Sequence, residues 1–132
     1  MSLLTEMDDY MLSHLKKRVW DRCTEEQAEI CIATAVRILN HLPLKADLPD
    51  PLTDDFKEAI FEMAVAFADG VDVDKEYRLL SRTTHGYGPL RQQKNTGMVE
   101  EYLALGIPCY EAWRRLSPYT STLKQVDLER IS

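Results

Sequence analysis

Apolar residues recur at three- and four-residue steps along most of the chain, which is the spacing of helices that bury one face. This spacing predicts a first helix within residues 3–19. It predicts a second helix that begins after Thr24 and ends before Pro43, because Thr24 and Gln27 have capping-box spacing and proline stops a helix. The expected buried faces are Leu3, Leu4, Met7, Tyr10, Met11, Leu15 and Val19 for the first helix, and Ala28, Cys31, Ile32, Ala35, Leu39 and Leu42 for the second.

A third helix is predicted between Thr53, its N-cap, and Gly70, which is placed to end it. The stretch 43–52 before it contains three prolines and is predicted to be a loop. The second and third helices are rich in small residues, so we expect them to approach closely as a central antiparallel pair. The expected face of the third helix is Phe56, Ala59, Ile60, Met63, Ala64 and Phe67.

The second half of the chain is less regular. A shorter helix is predicted from Asp72 or Asp74 to about Leu80, and residues 81–97 then follow neither a helical nor a strand period. Two short helices come next. The first is stopped by Gly106, and the second has Ala112, Trp113 and Leu116 on one side.

These elements predict an all-α protein, a small helical bundle of about four to six helices. We place the bundle domain at residues 1–118, with a long inter-helix loop insert at 81–97. Apolar residues are spread among polar ones in the last segment, so residues 119–132 are expected to form an extended C-terminal arm outside the core. A length of 132 residues is typical of one domain.

Composition excludes several classes of protein. The chain is 45% apolar and 29% charged, close to the globular average. No apolar run reaches the length of a membrane span, and the first ten residues lack the basic, then apolar, pattern of a secretory signal. Three widely spaced cysteines fit free thiols in a reducing cytosol better than a disulfide framework.

Charge is unevenly spread along a chain of net charge −6. Residues 23–69 hold ten acidic and three basic residues, whereas residues 83–97 hold Arg91, Lys94 and no acidic residue. An acidic body with a mildly basic insert is a poor general nucleic-acid binder, because neutralising phosphates requires clustered basic residues.

Candidate chemistry is sparse. His14, His41 and His85 lack the spacings that organise metal or catalytic sites, and residues 72–76 resemble the start of a calcium loop but lack its later glycine and glutamate. The glycine-rich stretch "GYGPLRQQKNTG" matches no phosphate-binding motif. We therefore predict no catalytic, cofactor-binding or metal-binding residues and a protein that is not an enzyme.

Two sites stay open at this point. Cys109 follows a proline at an expected helix start, which could lower its pKa, although a buried structural thiol is the simpler interpretation. Trp113, Arg114 and Arg115 could stack on bases, grip phosphates or anchor a protein contact, or they could be one core residue and two solvated ones.

Several stretches together resemble a known family. They are the segment from Trp20 to Gln27 leading into the helix at Ala33 to Leu39, then "FKEAIFEMA" at 56–64, and, after the irregular insert, "EYLALGIPCYEAWRRLSPY" at 101–119. In a short, acidic, helical chain this arrangement resembles the head–tail connector, or adaptor, proteins of tailed bacteriophages. The resemblance covers about residues 19–119, and residues 1–18 have no clear family counterpart.

The resemblance implies a non-enzymatic structural protein of the virion neck, made in the host bacterial cytoplasm. Copies of the chain would form a ring, commonly of twelve subunits, that binds beneath the portal protein and receives the next tail or head-closure component. DNA would pass through the ring as cargo only, and no cofactor or membrane is implied. The insert 81–97 would be the family's long loop.

We predict that the insert and the arm make the contacts between subunits and with the portal. The expected contact residues are Tyr87, Leu90 and Arg91 in the insert, and Tyr119, Leu123, Val126 and Leu128 in the arm. The alternative hypothesis is a small helical regulatory or DNA-associated binding protein that uses Arg114, Arg115, Arg91 and Lys94 on nucleic acid.

Overall fold

A computed structural model describes residues 2–86 and 98–121, with side chains described at 2–80 and 98–121. These residues form helices and no strand, so the predicted all-α class is confirmed. The α-helices are α1 (Leu3–Tyr10), α2 (Lys17–Asp21), α3 (Glu25–Asn40), α4 (Asp54–Ala68), α5 (Val73–Gly86), α6 (98–104) and α7 (Tyr110–Leu116). Two short 3₁₀ helices, Met11–Ser13 and Ser117–Tyr119, follow α1 and α7.

Helix α4 is the centre of the fold. It packs most extensively on α3 and next most on α7, and the run from Phe61 to Ala66 is buried on every side. Alanines at contact positions, such as Ala35 on α3 and Ala59 and Ala64 on α4, are 0% exposed. Such small side chains let backbones approach closely, so the predicted pairing of these two helices is confirmed.

The starts and stops of the central helices follow local rules. The Thr24 hydroxyl accepts a hydrogen bond from the backbone N–H of Gln27, whose side-chain oxygen accepts from the Thr24 N–H, so the predicted capping box is present. Gly70 has a φ of +92°, a conformation that favours glycine, directly after α4. Thr53 occupies the N-cap of α4, but its side chain makes no capping hydrogen bond.

The predicted single helix within residues 3–19 is wrong. The chain forms α1 and a 3₁₀ turn, leaves helical geometry at His14, and starts again as α2. Met7 and Met11 are buried as expected, whereas Leu15, predicted on the buried face, is fully exposed. The break turns Leu15 away from the face that an unbroken helix would have continued.

Helix α5 is longer than predicted. It begins after Asp72, whose carboxylate accepts a hydrogen bond from the Lys75 N–H, and this is a helix N-cap, not a calcium loop. It continues to Gly86, so the first six residues assigned to the irregular insert are helical. The rest of that insert, 87–97, lies outside the described residues.

The last described helices close the core. Gly106, with a φ of +91°, follows α6 and lets the chain turn, and the predicted stop is confirmed. Ile107, Ala112 and Leu116 are 0% exposed, and Trp113 is 7% exposed, so the apolar side predicted for α7 faces the core. Trp113 of the "WRR" triplet is therefore a core residue.

Candidate interaction surface

The segment after α7 packs onto the beginning of α4. The ring of Tyr119 lies 4.8 Å, centroid to centroid, from the ring of Phe56, and its hydroxyl donates a hydrogen bond to Oδ2 of Asp55. This hydrogen bond raises the pKa of the Tyr119 phenol. Tyr119, a predicted contact residue at the start of the extended arm, is half-buried against its own chain.

Backbone hydrogen bonds fix the chain at the same place. Leu44 and Thr120 form an antiparallel bridge, in which the Lys45 N–H donates to the Tyr119 carbonyl at 2.9 Å. The Ser121 N–H donates to the Pro43 carbonyl at 2.6 Å, and Thr120 is 0% exposed. The residues expected to start the arm are thus part of the helical body as far as Ser121.

A surface groove of about 600 Å³ lies beside this bridge, and we call it the Tyr119 groove. Its apolar lining comes from Phe56 and Tyr119, with Ala46 and the prolines 49 and 118 at its sides. The charged lining is mainly acidic. It consists of Lys45, Asp47, Asp54 and Asp55. An open groove lined by the Tyr119 ring, part of the buried Phe56 ring and exposed carboxylates suits an apolar side chain that has basic neighbours.

A second cluster surrounds Glu62, which is 7% exposed on α4. Its carboxylate accepts a hydrogen bond from the Tyr10 hydroxyl at 2.5 Å and lies 3.0 and 3.1 Å from Nε2 of His14. The Lys16 N–H donates to Nδ1 of His14, so Nε2 carries the proton and donates to Glu62. Burial, then the hydrogen bond to Glu62, raises the pKa of Tyr10. This cluster holds the N-terminal segment on α4.

Cys109 borders the same region, and its free thiol is half-buried. Its thiol donates a weak hydrogen bond to the Glu62 carbonyl at 3.6 Å, and burial raises its pKa. The idea of a lowered thiol pKa is therefore wrong, because desolvation outweighs the position at the start of α7. Within the described residues no group of three or more histidine, cysteine or acidic side chains could hold a metal ion.

The two arginines of α7 are paired with acidic residues of the same chain. Arg115 contacts Glu111 at 3.0 Å and Glu58 at 3.3 Å, and its side chain is 18% exposed. Arg114 contacts Glu111 at 3.0 Å. Both guanidinium groups therefore have intramolecular acidic partners, and these would have to be exchanged for phosphates in a nucleic-acid complex.

Most predicted contact residues lie outside the described residues. These are Tyr87, Leu90, Arg91, Leu123, Val126 and Leu128, together with Lys94 of the alternative hypothesis. His85 lies in α5, and Nδ1 of His41 is 2.8 Å from the Arg37 carbonyl at the C-terminal end of α3. Only Tyr119 of the predicted contact set is placed, and it borders a groove.

Sequence reasoning missed two surface features. One is the turn between α1 and α2, where Leu12 is 66% exposed and Leu15 is fully exposed. The other is the Tyr119 groove, whose walls come from the proline-rich loop and the segment after α7. The basic run at 16–18 gave no warning of the break, since lysine and arginine are good helix formers and α2 itself begins at Lys17.

Comparison of the chain with protein-family models, with curated proteins and with solved structures gave no match. Among the described helices, none combines the length and the apolar content that crossing a membrane requires.

Proposed function

We propose that the chain is a structural head–tail connector, or adaptor, of a tailed bacteriophage. In this proposal its copies form a ring beneath the portal, bind the downstream tail or head-closure protein and let DNA pass as cargo. The proposal rests on the resemblance of residues 19–119 to that family, and the all-α fold around α3 and α4 is compatible with it.

The observation that best supports this function is that the chain is anchored on the helical body as far as Ser121, directly before residues 122–132. The bridge at Leu44 and Thr120 and the Tyr119 contacts hold the chain at Ser121 against the start of α4. A segment that binds a partner from a fixed anchor loses less freedom on binding than one attached to a loose end. An arm at 122–132 that docks onto the portal would benefit from this anchor.

Charge pairing favours the connector over the alternative of a DNA-associated factor. Arg114 and Arg115 are bound to Glu111 and Glu58, and α3 and α4 both carry acidic first turns. A net charge of −6 opposes phosphate binding. The same charge would keep a duplex sliding through a ring.

Electron microscopy of the protein mixed with its portal, with each component alone as a control, tests the proposal. A ring of this protein appended to the portal is the expected result. A chain that ignores the portal, or that binds duplex DNA with a steep salt dependence, would contradict the proposal and favour the regulatory factor.

Two variants sharpen the same experiment. Arg91→Glu should weaken ring formation on the portal because we expect Arg91 to pair with an acidic helix of the neighbouring subunit, whereas Arg37→Glu provides a matched reversal of charge on α3. A chain that stops after Ser121 should keep its helical circular dichroism and lose portal binding. Normal portal rings from both Arg91→Glu and the shortened chain would show that neither the insert nor the arm makes the contacts.

A further inference from the structure

We propose that the turn between α1 and α2 of one copy docks into the Tyr119 groove of a second copy. This head-to-tail contact rests on the proposed function in one respect, since it names the two faces by which a ring of this chain would close. It combines an exposed apolar turn with basic neighbours and an aromatic groove with acidic edges.

The turn presents two leucines on a fixed backbone. Leu15 is 101% exposed and Leu12 is 66% exposed, the two most exposed large apolar side chains of the described residues. His14, which lies between them in the chain, is fixed because its Nε2 donates a hydrogen bond to Glu62 and its Nδ1 accepts one from the Lys16 N–H. Leu15 is thus presented to solvent by a turn that is anchored on α4 through His14, so docking it would require less ordering than docking a loose segment.

Basic residues surround these leucines. Lys16, Lys17, Arg18 and Arg22 follow within one short stretch, and the acidic residues that contact two of them are Asp69 and Asp21. The exposed pairs with Asp69 and Asp21 are of the weak surface type, so they can exchange partners at an interface. Between Lys16 and Arg22 the chain thus carries four basic residues and one acidic residue, and Asp8 and Glu25 line the surface on the side of Leu12.

The Tyr119 groove has the complementary properties. Phe56 and Tyr119 supply an aromatic lining, and three carboxylates, those of Asp47, Asp54 and Asp55, outnumber the single basic residue Lys45. Its volume of about 600 Å³ falls within the ~300–1,000 Å³ typical of binding pockets. A leucine would fill the aromatic part while Lys17 or Arg18 lies near the carboxylates.

The groove and the turn contact different parts of α4. The groove is built at the N-terminal end of α4, whereas the turn is tied to the middle of α4 through Glu62 and to the residue after its C-terminal end through Asp69. At ~1.5 Å per residue, Glu62 and Asp69 lie about 11 and 21 Å from Asp55 along the helix direction. A chain cannot fold its own turn into its own groove over that distance, so the contact is between copies, and unlike faces of this kind build rings or filaments.

The test uses variants that each block one face. Leu15→Glu blocks the turn, and Asp47→Lys with Asp54→Lys blocks the groove. Analytical ultracentrifugation up to about 1 mM detects a contact with a Kd at or below that concentration. We expect the wild type to self-associate, each variant alone to be monomeric, and an equimolar mixture of the two to form a one-to-one heterodimer and nothing larger.

Matched controls separate the contact from general charge and solubility effects. Ile30→Glu changes another exposed apolar residue, and Glu26→Lys with Glu29→Lys reverses two exposed acids, one of them in a helix first turn. Both controls should associate as the wild type does. Leu15→Ser serves as a second turn variant in case glutamate disturbs α2, and circular dichroism checks that every variant is folded.

Several outcomes would overturn the docking contact. They are a monomeric wild type at about 1 mM, blocked variants that still self-associate, or a mixture that stays monomeric. The contact is also overturned if the full chain is monomeric and self-associates only when residues 122–132 are deleted. That result would show that the chain's own C-terminal segment occupies the groove. If the docking contact is overturned but rings form on the portal, the connector proposal still stands. If the heterodimer forms but the protein does not bind the portal, the contact is supported and the connector proposal is contradicted.

Discussion

Replacing Glu62 by glutamine keeps the shape of a buried side chain and removes its charge. In the folded protein the carboxylate accepts hydrogen bonds from the Tyr10 hydroxyl and from Nε2 of His14, and Glu62 itself is 7% exposed. Glutamine can still accept one of these bonds through its single oxygen. Its NH₂ group is a donor and cannot accept a hydrogen bond from the second donor, whether that is the Tyr10 hydroxyl or Nε2 of His14.

The expected cost follows from these two bonds. A hydrogen bond to a charged group contributes ~1.5–3 kcal/mol and one between neutral groups ~0.5–1.5 kcal/mol, so loss of the charge weakens each bond by about 1 kcal/mol. The partial exposure of Tyr10 and His14 lets water replace part of the loss, and a neutral amide is cheaper to bury than a carboxylate. We therefore expect Glu62→Gln to lower the free energy of unfolding by about 1–2 kcal/mol.

Urea unfolding followed by circular dichroism and tryptophan fluorescence measures this change, with Trp20 and Trp113 as buried probes. Glu58→Gln is the matched control on the same helix, because Glu58 is more exposed and makes one contact of 3.3 Å with Arg115. It should cost less than about 0.5 kcal/mol.

A double-mutant cycle with Tyr10→Phe should give a coupling energy of about 1 kcal/mol between positions 10 and 62. If Glu62→Gln is as stable as its Glu58 control, or if Tyr10→Phe and Glu62→Gln are additive, the hydrogen bonds of Glu62 do not stabilise the fold.

Three further predictions concern other parts of the fold. Thr24→Ala should lower the free energy of unfolding by about 1 kcal/mol in the same urea assay, because it removes the capping-box acceptor of the Gln27 N–H; an unchanged midpoint would show that this cap is not stabilising. Ile107→Ala should cost ~2–5 kcal/mol, since Ile107 is 0% exposed and the core cannot fully collapse around the cavity; a cost below that range would mean that the site refills. The raised pKa of Tyr10 means that the fold is stabilised while its phenol is neutral, so this stabilisation is complete below pH 10 and is lost as the pH rises through the folded-state pKa. In an absorbance titration of the folded protein, Tyr10→Phe should remove a phenol that titrates late. Removal of a phenol that titrates early would contradict the contact with Glu62.

The local features of the central helices could be predicted from the sequence. The capping box at Thr24, the glycine stops at 70 and 106, and the buried faces of α3 and α4 depend on residues within a few positions of one another. Periodicity and capping can be predicted because the residues that produce them are neighbours in the chain. The all-α class followed from them, and these parts of the prediction are confirmed, except that Cys31 and Phe67 of the predicted faces are only half-buried.

Which residues are exposed at the surface could not be predicted in the same way, because exposure depends on tertiary structure. Leu15 satisfied the helical period, yet the break at His14 left it exposed, because the bond between His14 and Glu62 spans 48 positions of the chain. Glu62 is charged and nevertheless buried, since residues 61–66 of α4 are covered by α3, α7 and the N-terminal segment.

Tyr119 shows the same division. Its neighbourhood in the chain placed it at the start of an arm, whereas contacts with Phe56 and Asp55, more than sixty positions away, fix it to the body. Local sequence sets where α3 and α4 begin and end and which face each of them buries, because capping and periodicity act within one or two helical turns. The exposure of Leu15 and the lining of the Tyr119 groove come from packing between segments that are distant in the chain, and no local pattern encodes such packing.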